Sequence, residues 1–221
     1  MLQYLIVCPL VFLAGLVDSI AGGGGLIALP AYLIAGVPAH MALGTNKMSS
    51  AMGTVVSTAR FARNGYLRGK MLMAACSAAA ALIGSALGAH LALMVSEEII
   101  KHMMIVVLPI VAFYVLRNKD MGENEKTGTI PQVKVFAICI AAAFFIGGYD
   151  GFYGPGTGTF LILILTGAAR LDTRSASAQT KVINLSSNIA SLVTFIATGN
   201  VFYPLGLTAG GCSIAGHYIG A

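Results

Sequence analysis

One motif written twice into an apolar chain constrains this sequence more than any other feature. Asp18-Ser19-Ile20-Ala21-Gly22-Gly23-Gly24 is answered by Asp150-Gly151-Phe152-Tyr153-Gly154-Pro155-Gly156. A lone lysine follows each motif, Lys47 and then Lys181, and Phe61…Gly65 is answered by Phe195…Gly199. Duplication at a long period in so hydrophobic a chain is the pattern of membrane carriers built from two structural repeats. Each copy sets a charge and a glycine cluster inside a would-be span, which marks where a site belongs.

Composition fixes the solvent. Of 221 residues, 57% are hydrophobic and only 10% charged, against roughly 25% charged in an ordinary soluble domain. Apolar stretches at 2–17, 70–93, 99–116, 133–148 and 180–197 come near the ~20 residues that cross a hydrocarbon core. Small residues spread through them suit close helix packing in lipid. The predicted fold is all-α, a polytopic bundle of membrane helices. Residues 1–15 lack the cationic start of a cleavable signal and their apolar pattern runs on, so they read as a first span. Cys8, Cys76, Cys139 and Cys212 stand alone in separate apolar segments, without metal or redox spacing. The four histidines, His40, His90, His102 and His217, show no ligand spacing either, so no metal and no cofactor is expected.

Charge orients the chain. Arg63, Arg68 and Lys70 flank one short loop, and Glu97, Glu98 and Lys101 mark the next. Arg117, Lys119, Lys126 and Lys134 surround the longest polar stretch, and Arg170, Arg174 and Lys181 form a further cluster. The positive-inside rule puts the first, third and fourth groups in the cytoplasm and the second outside. The segments carrying Lys47 and Lys181 then run in opposite directions, so the two copies form an inverted-topology repeat with broken, re-entrant helices. The expected organisation is 1–117 as the first repeat, 118–132 as a cytoplasmic linker and 133–221 as the second repeat. Gly84-Ser85-Ala86-Leu87-Gly88 aligns with Gly216-His217-Tyr218-Ile219-Gly220, a small-xxx-small packing motif in both copies. The first copy continues into 99–116 and the second stops there, so a truncated second repeat is expected. Tyr66, Tyr114 and Tyr203 fall near span ends, where aromatic belts form.

The glycine clusters carry the chemistry. Four successive glycines, 22–25, each cost about 1 kcal/mol relative to Ala in a helix. In lipid such a break survives only where protein or a water-filled cavity covers the bared backbone. Helices restarting at Leu26 and Thr159 would present free N–H groups and a positive dipole end, which favours an anion. Gly23, Gly24, Gly156 and Gly158 are the candidate backbone donors; a packing kink where helices cross closely is the simpler reading. Asp18 and Asp150 are costly beside apolar segments. They would cap the half-helices, pair with lysine or take up a proton, capping and pairing being the simpler roles. Lys47 and Lys181 open long segments within Gly44-Thr45-Asn46-Lys47-Met48-Ser49-Ser50 and Ala178-Gln179-Thr180-Lys181-Val182-Ile183-Asn184. A single such lysine would snorkel to the interface, but two in matching polar runs point to a site. Helical spacing sets Lys47 with Ser50 and Lys181 with Asn184 on one face. Thr45, Asn46 and Thr180 complete the candidate set.

Asp18 through Pro30, followed by Gly36-Val37-Pro38 and Gly44-Thr45-Asn46-Lys47, resembles the first-half signature of the TauE/SafE family of sulfite exporter-like proteins. Gly147 through Gly158, with Thr180-Lys181 and Asn184, resembles its second half. The resemblance covers essentially the whole chain. It implies a multi-pass permease of the bacterial inner membrane for small sulfur-containing or related organic anions, such as sulfite or sulfonates. The family normally continues through one more helix. The partners expected are a small anionic solute and the lipid bilayer, no nucleic acid, and a homo-oligomer left open. No P-loop follows the glycines, so coupling would come from an ion gradient or the membrane potential. An intramembrane enzyme would need a nucleophile–base pair or a metal constellation, and the sequence offers neither. A non-transporting membrane subunit and a passive channel are the rival roles for a chain of this composition.

Overall fold

A computed structural model describes residues 1–117 and 130–221, and the side chains of all of them except 114–116. The described residues are all-helical. Among them nine helices follow one another: α1 (Leu2–Ala21), α2 (Gly25–Ile34), α3 (Ala39–Arg63), α4 (Met71–Met94), α5 (Glu97–Arg117), α6 (Gln132–Phe152), α7 (Thr157–Gly167), α8 (Thr173–Ala197) and α9 (Tyr203–Gly220). Three of them, α1, α4 and α6, are long and apolar enough to cross a membrane; α2 and α7 are shorter apolar helices. Most of the expected linker, and the charges Lys119 and Lys126, fall outside the described residues.

The distribution of polarity is inside-out. Leu5, Leu13, Ile105, Phe113, Phe145 and Ile219 face outward, while Asn46, Lys47, Thr54, Lys181, Asn184 and Asn188 are buried. Water as the surrounding solvent would favour the reverse, so this arrangement suits a hydrocarbon exterior. α3 and α8 carry most of the buried polar side chains and pack against each other. The main packing between the halves is otherwise reciprocal: α4 lies along α6 and contacts α8, while α9 lies along α1 and contacts α3.

Glycine permits both close pairings. Gly88 of α4 sits on the Gly148 carbonyl of α6, and Gly151 sits on the Ser85 carbonyl, with no room for a Cβ in either place. On the other side Gly216 meets the Phe12 carbonyl, and a Cβ on Gly220 would lie 2.7 Å from the Leu16 carbonyl oxygen. The two aligned small-xxx-small motifs therefore do the same work, each holding its helix against the first helix of the opposite half. Without a hydrophobic drive between helices in lipid, such backbone approach supplies the packing.

Two boundaries differ from the sequence reading. Lys47 and Lys181 do not open their helices: α3 starts at Ala39 and α8 at Thr173, so each lysine stands well inside. Both are 2% exposed, and neither snorkels to an interface. Pro38, with φ −53° and ψ 146°, and Asp172, whose carboxylate accepts from the Ser175 N–H at 2.9 Å, set the earlier starts. Pro38 cannot donate a helical hydrogen bond, and Asp172 is a conventional N-cap. Lys181 therefore does not belong with Arg170 and Arg174 as a loop charge.

Candidate functional site

The two breaks in the apolar helices touch. α1 ends on Gly22, which adopts φ 75°, and α2 restarts at Gly25. α6 ends at Phe152, and α7 restarts at Thr157 after Gly154 and Gly156, at φ 99° and 84°. Only glycine takes up such angles without strain. A Cβ on Gly22 would lie 2.6 Å from the Gly158 carbonyl carbon, so the two turns meet backbone to backbone. Thr159 fastens them by donating from Oγ1 to the Ala21 carbonyl at 3.1 Å.

Each turn is fixed by its aspartate, and each aspartate by a lysine from the other half. Asp150 on α6 receives Lys47 Nζ of α3 at 2.7 Å, Ser187 Oγ of α8 at 2.6 Å and Thr157 Oγ1 at 2.9 Å. Asp18 on α1 receives Lys181 Nζ of α8 at 3.2 Å and the Gly24 N–H at 3.3 Å. Lys181 also donates to the Asp18 main-chain carbonyl. A further partner of Asp18 is His217 of α9, whose Nε2 stands 3.2 Å from Oδ2. Asp18, Lys47, Asp150, Lys181 and His217 are all under a tenth exposed. Burial of charge at this depth is tolerable only with such pairing. Both aspartates pair with a lysine; Asp18 also accepts a backbone N–H of its broken turn, whereas the donors to Asp150 named above are all side chains.

Between the pairs lies a cavity of about 30 Å3, walled by both turns, α3, α8 and α9, room for about two waters. Of the sequence candidates, Gly24, Asn46, Lys47, Ser50, Gly158 and Asn184 line it, as do Asp18 and Asp150. Asn46 also presents a buried Oδ1 with no hydrogen-bond partner among the described residues. Gly23, Thr45, Gly156, Thr180 and Lys181 are not on its wall. Lys181 stands behind Asp18. Thr45 Oγ1 accepts from the Phe202 N–H at 2.9 Å, tying α3 to the start of α9. Gly156 faces Val111 and Phe160, and Thr180 Oγ1 is buried without a partner among the described residues.

Sequence reasoning missed Thr54, Asn188 and His217, all on the cavity wall. Two of them were within reach: Thr54 and Asn188 stand seven positions after Lys47 and Lys181, on the same helical face. His217 gave no periodic signal. Its only trace is that it aligns with Ser85 in the duplicated small-xxx-small motif. His40, by contrast, ties the start of α3 to the end of α4, with Nε2 at 3.1 Å and 3.0 Å from the carbonyls of Ala92 and Val95. Among the described residues no His, Cys, Asp and Glu group has the makings of a metal site.

Paired lysines inside a duplicated helical membrane architecture describe a class of protein, and comparison with known sequences narrows it. The pattern of the family described as sulfite exporter TauE/SafE matches residues 7–221. A protein of Sinorhizobium sp. named probable membrane transporter protein ORF9 is 37% identical over 95% of this chain and 77% of its own length. A probable membrane transporter protein of Haemophilus influenzae is 32% identical over 95% of this chain and 80% of its own length. Probable membrane transporter protein YfcA of Escherichia coli K12 is 31% identical over 95% of this chain and 74% of its own length. No solved structure matches the chain. With the glycine turns, the lysines and nearly all of the sequence inside the match, the chain belongs to the TauE/SafE family of membrane transporters.

Proposed function

We propose that this chain is a secondary transporter that moves small sulfur-containing or related organic anions, sulfite and sulfonates among them, across the bacterial inner membrane. In this reading residues 1–117 and 133–221 are inverted repeats joined by a cytoplasmic linker, and the solute site lies where their broken helices meet. The observation that carries the reading is the meeting of Gly22 with Gly158 beside a polar cavity flanked by two buried lysines.

Backbone N–H groups at the starts of α2 and α7, with Lys47, Asn46, Ser50 and Asn184, would receive the oxyanion; Lys181, Thr45, Thr180, Gly23 and Gly156 support that wall from behind. Helix N-termini favour negative charge, and Lys supplies a point charge once its carboxylate yields. The cavity is small, about 30 Å3, and in this reading the solute is loaded and released as the two turns move apart. That separation is the element which alternating access needs, one half rocking against the other.

Counterflow of labelled sulfite and methanesulfonate in proteoliposomes tests the proposal. Saturable exchange that falls at least tenfold in Lys47→Met, but little in Arg117→Met, is expected. Equal effects of the two substitutions would remove the site, and absence of exchange in the unaltered chain would remove the sulfur-anion transporter.

A further inference from the structure

The aspartates and lysines of the polar core repeat between the halves, but His217 has no histidine counterpart. Asp18 corresponds to Asp150 and Lys47 to Lys181, but His217 corresponds to Ser85 and Gly53 to Ser187. The exchange is spatially concerted. In one half, Ser187 donates to Asp150 at 2.6 Å, and Ser85 donates to the Ser187 carbonyl at 2.6 Å. In the other, Gly53 leaves the space empty and the imidazole fills it: a Cβ on Gly53 would collide with the ring, and one on Gly15 would lie 2.8 Å from Nδ1. Two small hydroxyls in one half are thus replaced by a glycine and a titratable ring in the other.

Both ring nitrogens face acceptors. Nε2 is 3.2 Å from the Asp18 carboxylate and Nδ1 is 2.9 Å from the Ser213 carbonyl. Neither oxygen can donate, so both contacts are hydrogen bonds only when both nitrogens carry a proton. A neutral ring keeps one of them. Ser213 Oγ, 3.4 Å from Nδ1, stands ready to donate to that nitrogen once its proton has gone. Two states of the ring therefore each have partners.

The charges around the ring decide what the second proton does. α9 packs against α1 and α3. From α1 the ring meets Asp18; from α3 it meets Gly53, while Arg60 of that helix turns to the exposed carbonyl and ring of Tyr218. Lys181 of α8 reaches the ring only through Asp18, and Lys47 and Asp150 share the cavity wall as a pair. Two lysines and two aspartates cancel, so with a neutral His217 the cavity offers an anion hydrogen-bond donors but no net positive charge to offset its desolvation. The imidazolium leaves it one positive charge.

We infer that His217, held against Asp18 in the space vacated by Gly53, is the proton-binding site of this protein, and that one proton taken up there accompanies each anion through the cavity. The coupling rests on the transport reading above; the proton site itself does not. When the proton leaves Nδ1, the ring turns its bond from the Ser213 carbonyl to the Ser213 hydroxyl, the cavity becomes neutral and the anion is released.

Two measurements on the chain in lipid separate the parts. The first is 15N NMR of histidine-labelled protein in nanodiscs from pH 5 to 9. One resonance pair that is lost in His217→Gln moves between the imidazolium and neutral positions, and shifts its midpoint in Asp18→Asn. A His217 signal that stays neutral throughout overturns the proton site, whatever the transport assays show. The second is uptake of labelled methanesulfonate, which stays anionic across this range, driven by a pH gradient in proteoliposomes. At a fixed gradient the initial rate of uptake falls about tenfold per pH unit above the midpoint, as for any single titrating group. In Gly53→Ser/His217→Ser, which copies the packing of the other half, any remaining exchange is flat with pH and a gradient drives no accumulation. Gradient-driven accumulation intact in that double variant overturns the coupling. Absence of all flux from the unaltered chain removes the transport reading instead, and the NMR titration still decides the proton site.

Discussion

Breaking the Lys47–Asp150 pair one partner at a time, and then both together, tests the physical basis of the core. The ammonium and carboxylate stand 2.7 Å apart with side-chain exposures of 2% and 4%. At that separation the attraction is ~6 kcal/mol for an effective dielectric constant of 20. Lys47→Met strands Asp150 with only Ser187 and Thr157 as donors, and removal of one partner from a buried pair costs about 3–5 kcal/mol. Asp150→Asn strands the lysine for a similar loss. The double substitution leaves two neutral groups and is expected within about 1 kcal/mol of the parent, since neutral replacement of a buried pair is often tolerated. The coupling energy from the cycle, the double variant's loss minus the two single losses, is then on the order of 6–10 kcal/mol in magnitude. Thermal unfolding in detergent reads each single variant as a fall on the order of 10 °C. The exposed pair Lys101–Glu97, 3.8 Å apart, is the control and is worth only ~0.3–0.5 kcal/mol. Additive losses at Lys47 and Asp150, with a coupling no larger than that control, would show that each charge is solvated separately and would refute the reasoning.

Two neighbouring glycines should respond in opposite ways. Gly22→Ala forces a Cβ against the Gly158 backbone at φ 75° and should destabilise by about 2–3 kcal/mol, whereas Gly23→Ala, whose nearest neighbour would be 3.8 Å away, should change thermal stability little. At the exposed start of α8, partial burial pushes the Asp172 carboxyl up, but the hydrogen bonds from Ser175, with help from Lys70, outweigh it and hold the carboxyl below its usual range. Its cap is therefore fully present above the ordinary carboxylate pKa and is lost as pH falls through the lowered folded value; Asp172→Ala should cost about 1 kcal/mol at neutral pH and progressively less in acid, read by thermal unfolding at several pH values.

The candidate site was legible in outline because its parts are duplicated. A glycine run or a lysine at a span end is ambiguous alone, and the second copy turned both into a pattern. The pattern gave residues without partners. Nothing in the sequence says that Lys47 reaches Asp150 and Lys181 reaches Asp18, each across to the other half; within one half, Asp18 with Lys47 is an equally good pair on paper. The lysines also read as helix openers because hydropathy rises after them, whereas Pro38 and Asp172 start the helices earlier by local backbone chemistry.

What the sequence determined by itself is solvent and periodicity. Its apolar composition demands a nonpolar exterior, its glycine clusters demand breaks in α1/α2 and α6/α7, and its aligned small residues demand close helix pairs, because these are local properties of a chain in lipid. Only the tertiary structure decided which turn meets which, which carboxylate neutralises which lysine, and that His217 occupies the space Gly53 leaves. Those outcomes depend on contacts between residues as far apart as Asp18 and His217. They are set by the fit of whole helices, Gly216 and Gly220 against α1, Gly84 and Gly88 against α6, and no window along the chain contains that fit.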